Sequence, residues 1–146
     1  MGDVVKFTKG AAIASALVGN FSSFENRERL SKTALKAFLS LCDKWAISDS
    51  AALDLSGLDV DEWEMAKSAD YAAVLNQDQL TRVSALVGVY KGLNLLFADN
   101  YANEWPMTSN NGPLFGGQTP IDLMVAGGIP MMLKVRSHID ALRGGI

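Results

Sequence analysis

The sequence predicts an all-α fold in which a helix-turn-helix N-terminal part packs on a long central helix, followed by a small C-terminal helical domain. Apolar residues recur at steps of three and four along most of the chain, which indicates amphipathic helices. The alternation of apolar and polar residues that is typical of strands is nearly absent. With 146 residues, of which 49% are hydrophobic and 20% charged, the chain is long enough to bury one core.

The first helix is predicted between Ser31, which can act as its N-cap, and about Trp45. Leu35 and Phe38 fall on one face of this helix at helical spacing, so we expect that face to be buried. Residues 1–25, which precede the helix, are expected to form an N-terminal arm that is flexible or carries one short helix.

Two short helices are predicted next. Ser48 or Asp49 can cap a helix over 50–55, and Asp59 can cap another over 60–68. A turn that contains glycine separates them. Two short helices joined in this way have the shape of a helix-turn-helix unit, which is a DNA-binding architecture.

The central helix is predicted to be the longest in the chain and to cover 77–97, opened by Asn76 or Asp78. Apolar residues lie on more than one side of it. A helix with this pattern is buried on several sides, so we expect both halves of the chain to pack against it.

The C-terminal part is predicted to contain a loop and two helices. Gly116 and Gly117 lie in a turn-rich loop, where glycine permits a positive φ. Thr119-Pro120 is a helix start, with a hydroxyl cap followed by proline at the first helical position. This helix is expected to end at Gly127-Gly128, and a last helix is expected over about 130–142. The chain thus divides into an arm (1–25), a helix-turn-helix domain (26–75) and a C-terminal domain (76–146).

Residue types that support catalysis or metal binding are scarce. Cys42 and His138 are the single cysteine and the single histidine, and they match no metal-ligand spacing, so we expect neither an enzyme nor a metal or cofactor site. The loop before Thr119 lacks the glycine pattern and the lysine of a phosphate-binding loop. Cys42 is expected to be a buried small hydrophobe in a reducing, cytoplasmic setting. No apolar run reaches the length that spans a bilayer.

The charges are unevenly distributed, although the net charge is only −3. Residues 1–42 contain six Lys/Arg and three Asp/Glu, whereas residues 43–70 contain two Lys/Arg and eight Asp/Glu. Acidic residues at the start of the second short helix, including Asp61 and Glu62, oppose its docking on DNA phosphates. The candidate DNA contacts are Arg27, Arg29, Lys32, Lys36, Ser48, Ser50 and Lys67.

Several motifs occur together in the second half of the chain. They are LTRVSALVGVYKGL at 80–93, Trp105, Asn110-Asn111, LFGGQTP at 114–120, Gly127-Gly128, and the ending with Val135-Arg136, Ile139-Asp140-Ala141 and Arg143-Gly144-Gly145. In combination they resemble the MbcA/ParS/Xre antitoxins over about residues 76–146. Trp45-Ala46-Ile47-Ser48, Leu55-Ser56-Gly57 and Trp63 are similar to the Xre-type helix-turn-helix of that family, although the reading helix of this chain is acidic.

The resemblance implies an antitoxin of a type II toxin–antitoxin pair. Its partner would be a RES-domain toxin, which has an ADP-ribosyltransferase-like fold and attacks NAD or ADP-ribosylates a protein. The C-terminal domain would then be the toxin-binding domain, covering the active-site cleft of the toxin. A homodimer within a hetero-oligomeric complex and autoregulation through operator DNA are further implications. The alternative is a helix-turn-helix transcriptional regulator without a toxin partner.

Aromatic and arginine side chains dominate protein interfaces, and arginine binds carboxylates in a bidentate manner. Trp105 and Phe115 are therefore candidate apolar anchors or, alternatively, core residues, and Arg136 and Arg143 are candidate cationic contacts. The predicted toxin-binding residues are Trp105, Asn110, Leu114, Phe115, Gly116, Gly117, Arg136, Asp140, Arg143, Gly144, Gly145 and Ile146.

Overall fold

Six α-helices and one 3-10 turn form the part of the chain that the computed structural model describes, residues 22–144. The elements are α1 (Phe24–Lys44), α2 (Asp49–Ser56), α3 (Val60–Lys67), α4 (Gln77–Leu96), α5 (Tyr101–Glu104), the 3-10 turn (Trp105–Met107) and α6 (Pro120–Leu142). No strand occurs among these residues, and the predicted all-α class is confirmed.

Helix α1 begins earlier than predicted. Ser23 is its N-cap and accepts a hydrogen bond from the Asn26 N–H at 3.4 Å. The prediction that Ser31 caps the helix is wrong, because its buried hydroxyl accepts a hydrogen bond from the Leu75 N–H at 2.8 Å. Phe24 therefore belongs to α1, although we predicted it in the arm, and residues 1–21 of that arm lie outside the described residues.

The two short helices lie where the capping residues predicted them. The Ser48 hydroxyl accepts from the Ala51 N–H at the start of α2, and α2 ends at Gly57 with a φ of 75°. At the start of α3, Asp59 and Glu62 form a reciprocal capping box. Only three residues, Gly57 to Asp59, separate α2 from α3, and glycine adopts the left-handed conformation at Gly57 without steric cost.

Helix α4 is the element against which α1, α2 and α6 pack. It opens with the predicted Asn76 cap, which forms a capping box with Gln79. It is not the longest helix as predicted, since it has 20 residues whereas α1 has 21. Buried side chains occur on several sides of α4, including Leu80, Leu86 and Leu93, which confirms its expected central position.

Helix α6 runs parallel to α4 and is kinked. A Cβ atom placed on Gly88 or Gly92 of α4 would meet Arg136 or Ile139 of α6, so both helices advance in the same direction. Gly128 has non-helical dihedral angles (φ 65°, ψ −152°), and this kink lies where the break between two helices was predicted. The prediction placed the helix end one residue too early, because Gly127 is still helical.

One hydrophobic cluster connects the two domains that the sequence predicts. It contains Phe38 of α1, Leu55 of α2, Leu86 of α4 and Met124 of α6. Trp63 of α3 joins the same cluster and packs edge-on against the Phe38 ring at a centroid distance of 5.8 Å. The position of α6 is therefore fixed by the same core that holds α2 and α3.

Candidate partner-binding surface

Three rings attach the loop at 108–118, which joins the 3-10 turn to α6, to the side of α6. The rings of Trp105 and Phe115 are perpendicular, with centroids 5.5 Å apart. The His138 ring of α6 lies 5.1 Å from Phe115 and is stacked on Trp105 at 6.5 Å. Edge-to-face and stacked contacts of this kind add to the stabilisation that burial provides. The 3-10 turn before the loop, through Trp105, and the later part of the loop, through Phe115, therefore both contact α6.

Asn110 closes the neck of this loop. Its backbone N–H donates to the Gln118 carbonyl at 3.1 Å, and its own carbonyl accepts from the Gly117 N–H at 2.8 Å. Its side-chain oxygen accepts from the Gly112 N–H at 2.8 Å. Gly116 and Gly117 have φ values of 57° and 90°, which confirms the predicted need for glycine here. These bonds give the loop a defined shape.

The burial of the aromatic residues favours core packing, the alternative stated for them, over a role as partner anchors. Trp105 is 6% exposed and Phe115 is 2% exposed, so both rings face the core and support the loop from inside. Leu114 is half-buried against the same core, and Asn110 is half-buried at the neck. Of the predicted contacts in this loop, Gly116 and Gly117 are exposed.

The predicted contacts on α6 lie on one flank of the helix at helical spacing. Arg136 lies over Gly88, and Asp140 lies one turn further on, close to Gly92. The Arg143 guanidinium donates to the Asp140 carboxylate at 3.2 Å. Arg136, in contrast, has no hydrogen bond or ion pair with any described residue. This flank therefore presents one internally paired and one unpaired arginine.

Exposed leucines occur near this flank. Leu95 at the end of α4 is 52% exposed and Leu142 at the end of α6 is 51% exposed. Because α4 and α6 are parallel, these two leucines lie about one helical turn beyond the contact of Gly92 with Ile139. Gly144 is exposed with a φ of 138°, and the predicted contacts Gly145 and Ile146 lie outside the described residues.

The predicted DNA contacts are dispersed, and several are engaged within the fold. Lys67 of α3 forms ion pairs with Asp49 and Glu64, each at 3.2 Å, and its hydrogen bonds to these two carboxylates raise the pKa of Lys67. The remaining contacts are as follows: Arg27 donates to the Ser22 carbonyl, Arg29 donates to Asn26, Lys36 lies over the Tyr71 ring, the Ser48 hydroxyl caps α2, and Lys32 and Ser50 are exposed.

The outer face of α3 carries no free basic side chain among the described residues. Val60 is 60% exposed and Met65 is 36% exposed, and the exposed acids Asp61 and Glu64 lie beside them. In a helix-turn-helix this second helix enters the major groove. The acidic side chains on that face repel DNA phosphates, and the apolar side chains do not neutralise them. This surface therefore argues against the DNA-binding interpretation.

Cys42 and His138 lie on separate elements and do not form a common site. Burial, together with the charge of Asp49, raises the pKa of the Cys42 thiol to about 12, so the thiol stays protonated and unreactive. Across residues 22–144, no cluster of His, Cys, Asp and Glu side chains has the geometry to hold a metal ion. None of the described helices combines the length and apolarity that crossing a bilayer requires.

Gly88 is a site residue that the sequence analysis missed. It lies in the run Gly88-x-x-x-Gly92, a spacing that places two glycines on one helix face and allows another helix to approach closely. That spacing could have predicted close packing of a second helix on this face. It does not indicate which side chain covers the glycine, because Arg136 is contributed by a distant part of the chain.

Comparisons with known proteins identify a relative of undefined activity. The chain is 28% identical over 116 residues to a protein described as "Uncharacterized protein y4oB" of Sinorhizobium fredii (strain NBRC 101917 / NGR234). The aligned part covers 76% of this chain and 84% of that protein. No family model matches the chain. No solved structure matches it either.

Proposed function

We propose that this chain is an antitoxin that neutralises a RES-domain toxin by binding it and covering its active-site cleft. The motifs of residues 76–146 that resemble the MbcA/ParS/Xre antitoxins motivate the proposal. The observation that carries it is the unpaired Arg136 on the α4–α6 flank, close to a charged and apolar C-terminal end. Interfaces commonly combine an arginine with apolar anchors in this manner.

Obstruction of a cleft requires a rigid element that reaches into it. The parallel pair α4 and α6 supplies the rigid element, because the glycine contacts and the loop at 108–118 fix α6 along its length. Leu142 and Arg143 are exposed at its end, where the helix gives way to a glycine-rich terminus. Arg143 is paired with Asp140 on the exposed end of α6. Because exposed ion pairs are weak, Arg143 can leave Asp140 and bind a carboxylate of the toxin at small cost in free energy.

The test starts with purification of the tagged chain from its native host. We expect a RES-domain protein to co-purify, and we expect that protein alone to arrest growth with loss of NAD or with ADP-ribosylation of a protein. Co-expression of the chain should restore growth and remove the chemical signature. A purified complex that contains no RES-domain protein, or a toxin that remains active in the presence of the chain, contradicts the proposal.

A helix-turn-helix transcriptional regulator is the second candidate, and autoregulation of the operon is compatible with both. The arrangement that favours it is the pair α2 and α3, joined by a three-residue turn and packed on α1 through Trp63. A gel shift on DNA upstream of the gene, with a binding constant that falls steeply with salt, supports this function. Absence of a shift at low salt, with and without the captured partner, removes it.

A further inference from the structure

We infer that Arg136 is a preset receptor for a carboxylate of the partner protein, and that Gly88 is the residue that positions it. The inference rests on the proposed function for the identity of the partner. The geometry of the receptor depends on this chain alone, so the receptor and the identity of the partner can be tested separately.

The Arg136 side chain packs against the backbone of α4 at Gly88, where no side chain intervenes. A Cβ atom on Gly88 would be 2.7 Å from both Cζ and Nε of Arg136 and 2.9 Å from its Cδ. These distances are shorter than any real Cβ contact, so every residue larger than glycine displaces the guanidinium. Gly88 is itself buried in the helix pair and Arg136 is partly buried.

The charge of Arg136 is not neutralised by the described part of the chain. Arg82 donates to Asp78 at 2.8 Å, and Arg143 donates to Asp140 at 3.2 Å. Asp140 is four residues after Arg136, a spacing that permits an ion pair on a helix, yet it pairs with Arg143 instead. Arg136 therefore keeps its N–H donors without an acceptor among residues 22–144.

A planar carboxylate is the group that matches this arrangement. A guanidinium binds it through two parallel N–H···O bonds, and the planar fork of the guanidinium is already shaped for this geometry. A phosphate group would bring more negative charge toward Asp140, which lies one helical turn away. We therefore assign a glutamate or aspartate of a protein partner to Arg136 and not a nucleic-acid phosphate.

The first experiment uses the chain without a partner. The ¹⁵N–¹H signal of Arg136 Nε is followed during titration with sodium acetate, with sodium chloride at equal ionic strength as the reference. We expect a saturable shift in the wild type that is larger than that of Arg143 and is absent in Gly88→Ala. Equal responses to acetate and chloride, or an unchanged response in Gly88→Ala, overturn the inference.

The second experiment measures the affinity for the co-purified RES-domain protein. Arg136→Ala should raise Kd by about 30-fold or more, because it leaves a partner carboxylate without its cation. Gly88→Ala should raise Kd by about tenfold, because the added methyl group displaces the guanidinium from its place over Gly88. The double variant should bind like Arg136→Ala alone, since Gly88 acts through Arg136. Lys134→Ala, which removes an exposed charge from the same helix, is the matched control and should change Kd by less than about threefold.

Outcomes of the two experiments separate the possible failures. If no RES-domain protein binds the wild type while the acetate shift is present, the proposed function is wrong and the receptor remains. If the wild type binds and Arg136→Ala binds equally well, the receptor assignment is wrong and the proposed function remains. Gly88→Ala can also be compared in the wild type and in the Arg136→Ala variant. If it raises Kd by the same factor in both, Gly88 acts through helix packing and does not position Arg136.

Discussion

The α2–α3 region and the α4–α6 region use their polar side chains in opposite ways. In the first, Lys67 is paired with Asp49 and Glu64, and the caps at Ser48 and Asp59 satisfy helix ends. In the second, the glycine face of α4 lets α6 approach until an arginine covers the helix backbone without an ion-pair partner among the described residues.

The contrast between the two regions indicates where a partner is expected to bind. A surface whose cations are already paired gains little from a new anion, because the new ion pair only replaces an existing weak one. An unpaired guanidinium gains a new ion pair without giving one up. The two short helices α2 and α3 therefore say less about function than the charge arrangement on α6 does.

The largest expected effect concerns the rings that hold the loop at 108–118. Phe115→Ala should lower the free energy of unfolding by about 3–5 kcal/mol, because it removes a buried ring from contact with Trp105 and His138. Chemical denaturation followed by circular dichroism measures this. Met107→Ala, at a position 46% exposed, is the control and should stay within about 0.5 kcal/mol. A Phe115→Ala variant as stable as the wild type would mean that the loop is not held by its rings.

The next prediction is that alanine substitutions of Gly88 and Gly92 in α4 differ in their effect on stability. A Cβ on Gly92 would lie 2.8 Å from Cγ2 of Ile139, a branched side chain that is 1% exposed and cannot move aside. Gly92→Ala should therefore lower the free energy of unfolding by about 1–3 kcal/mol. Gly88→Ala should not lower it, because the flexible end of Arg136 can move away and alanine favours the helix. Equal destabilisation by both changes would mean that Arg136 is as constrained as Ile139.

A smaller effect is expected in the α2–α3 region. Asp59→Ala removes the side chain that accepts from the Glu62 N–H at 2.7 Å and so breaks the capping box of α3. The loss of an N-cap of this kind costs about 1 kcal/mol. Asp61→Ala, also exposed in the first turn but without a capping bond, is the matched control. If both variants unfold at the same denaturant concentration, the cap does not stabilise α3.

The smallest effect is a pH dependence at Asp49. Hydrogen bonds from Trp63 and then from Lys67 lower the pKa of the Asp49 carboxyl below its usual value of 3.8. Because the folded-state pKa is the lower one, the stabilisation is present above 3.8 and is lost as the pH falls through the folded-state value. Asp49→Asn keeps an oxygen for the Trp63 N–H and cannot titrate. Its Tm should fall less than that of the wild type between about pH 5 and about pH 2. Parallel Tm curves would contradict this.

The sequence predicted those elements whose causes are local. The caps at Ser48, Asp59, Asn76 and Thr119 were found because a capping side chain bonds to a backbone group three residues away. The kink at Gly128 was found because it follows from consecutive glycines. Local signals of this kind located the helix boundaries to within a residue or two, apart from the start of α1.

Features that depend on distant contacts were not predicted. Ser31 has the residue type of a cap, but its hydroxyl is taken by Leu75, which lies 44 residues later. Lys67 looked available for DNA until the fold placed Asp49 beside it. Gly88 and Arg136 meet only because α4 and α6 are parallel, and no sequence pattern fixes that direction.

Two charge reversals, one in each region, determine whether the partner binds the α4–α6 flank or the α2–α3 face. Arg136→Glu alters a partly buried position on the α6 flank, and Asp61→Lys alters an exposed position on the outer face of α3. The quantity to measure is the Kd of each variant for the RES-domain protein that we propose as the partner of the chain. We predict that Arg136→Glu weakens binding by about 30-fold or more, whereas Asp61→Lys stays within about threefold of the wild type. Loss of binding in Asp61→Lys with retention in Arg136→Glu would place the partner on the α2–α3 region and contradict the account.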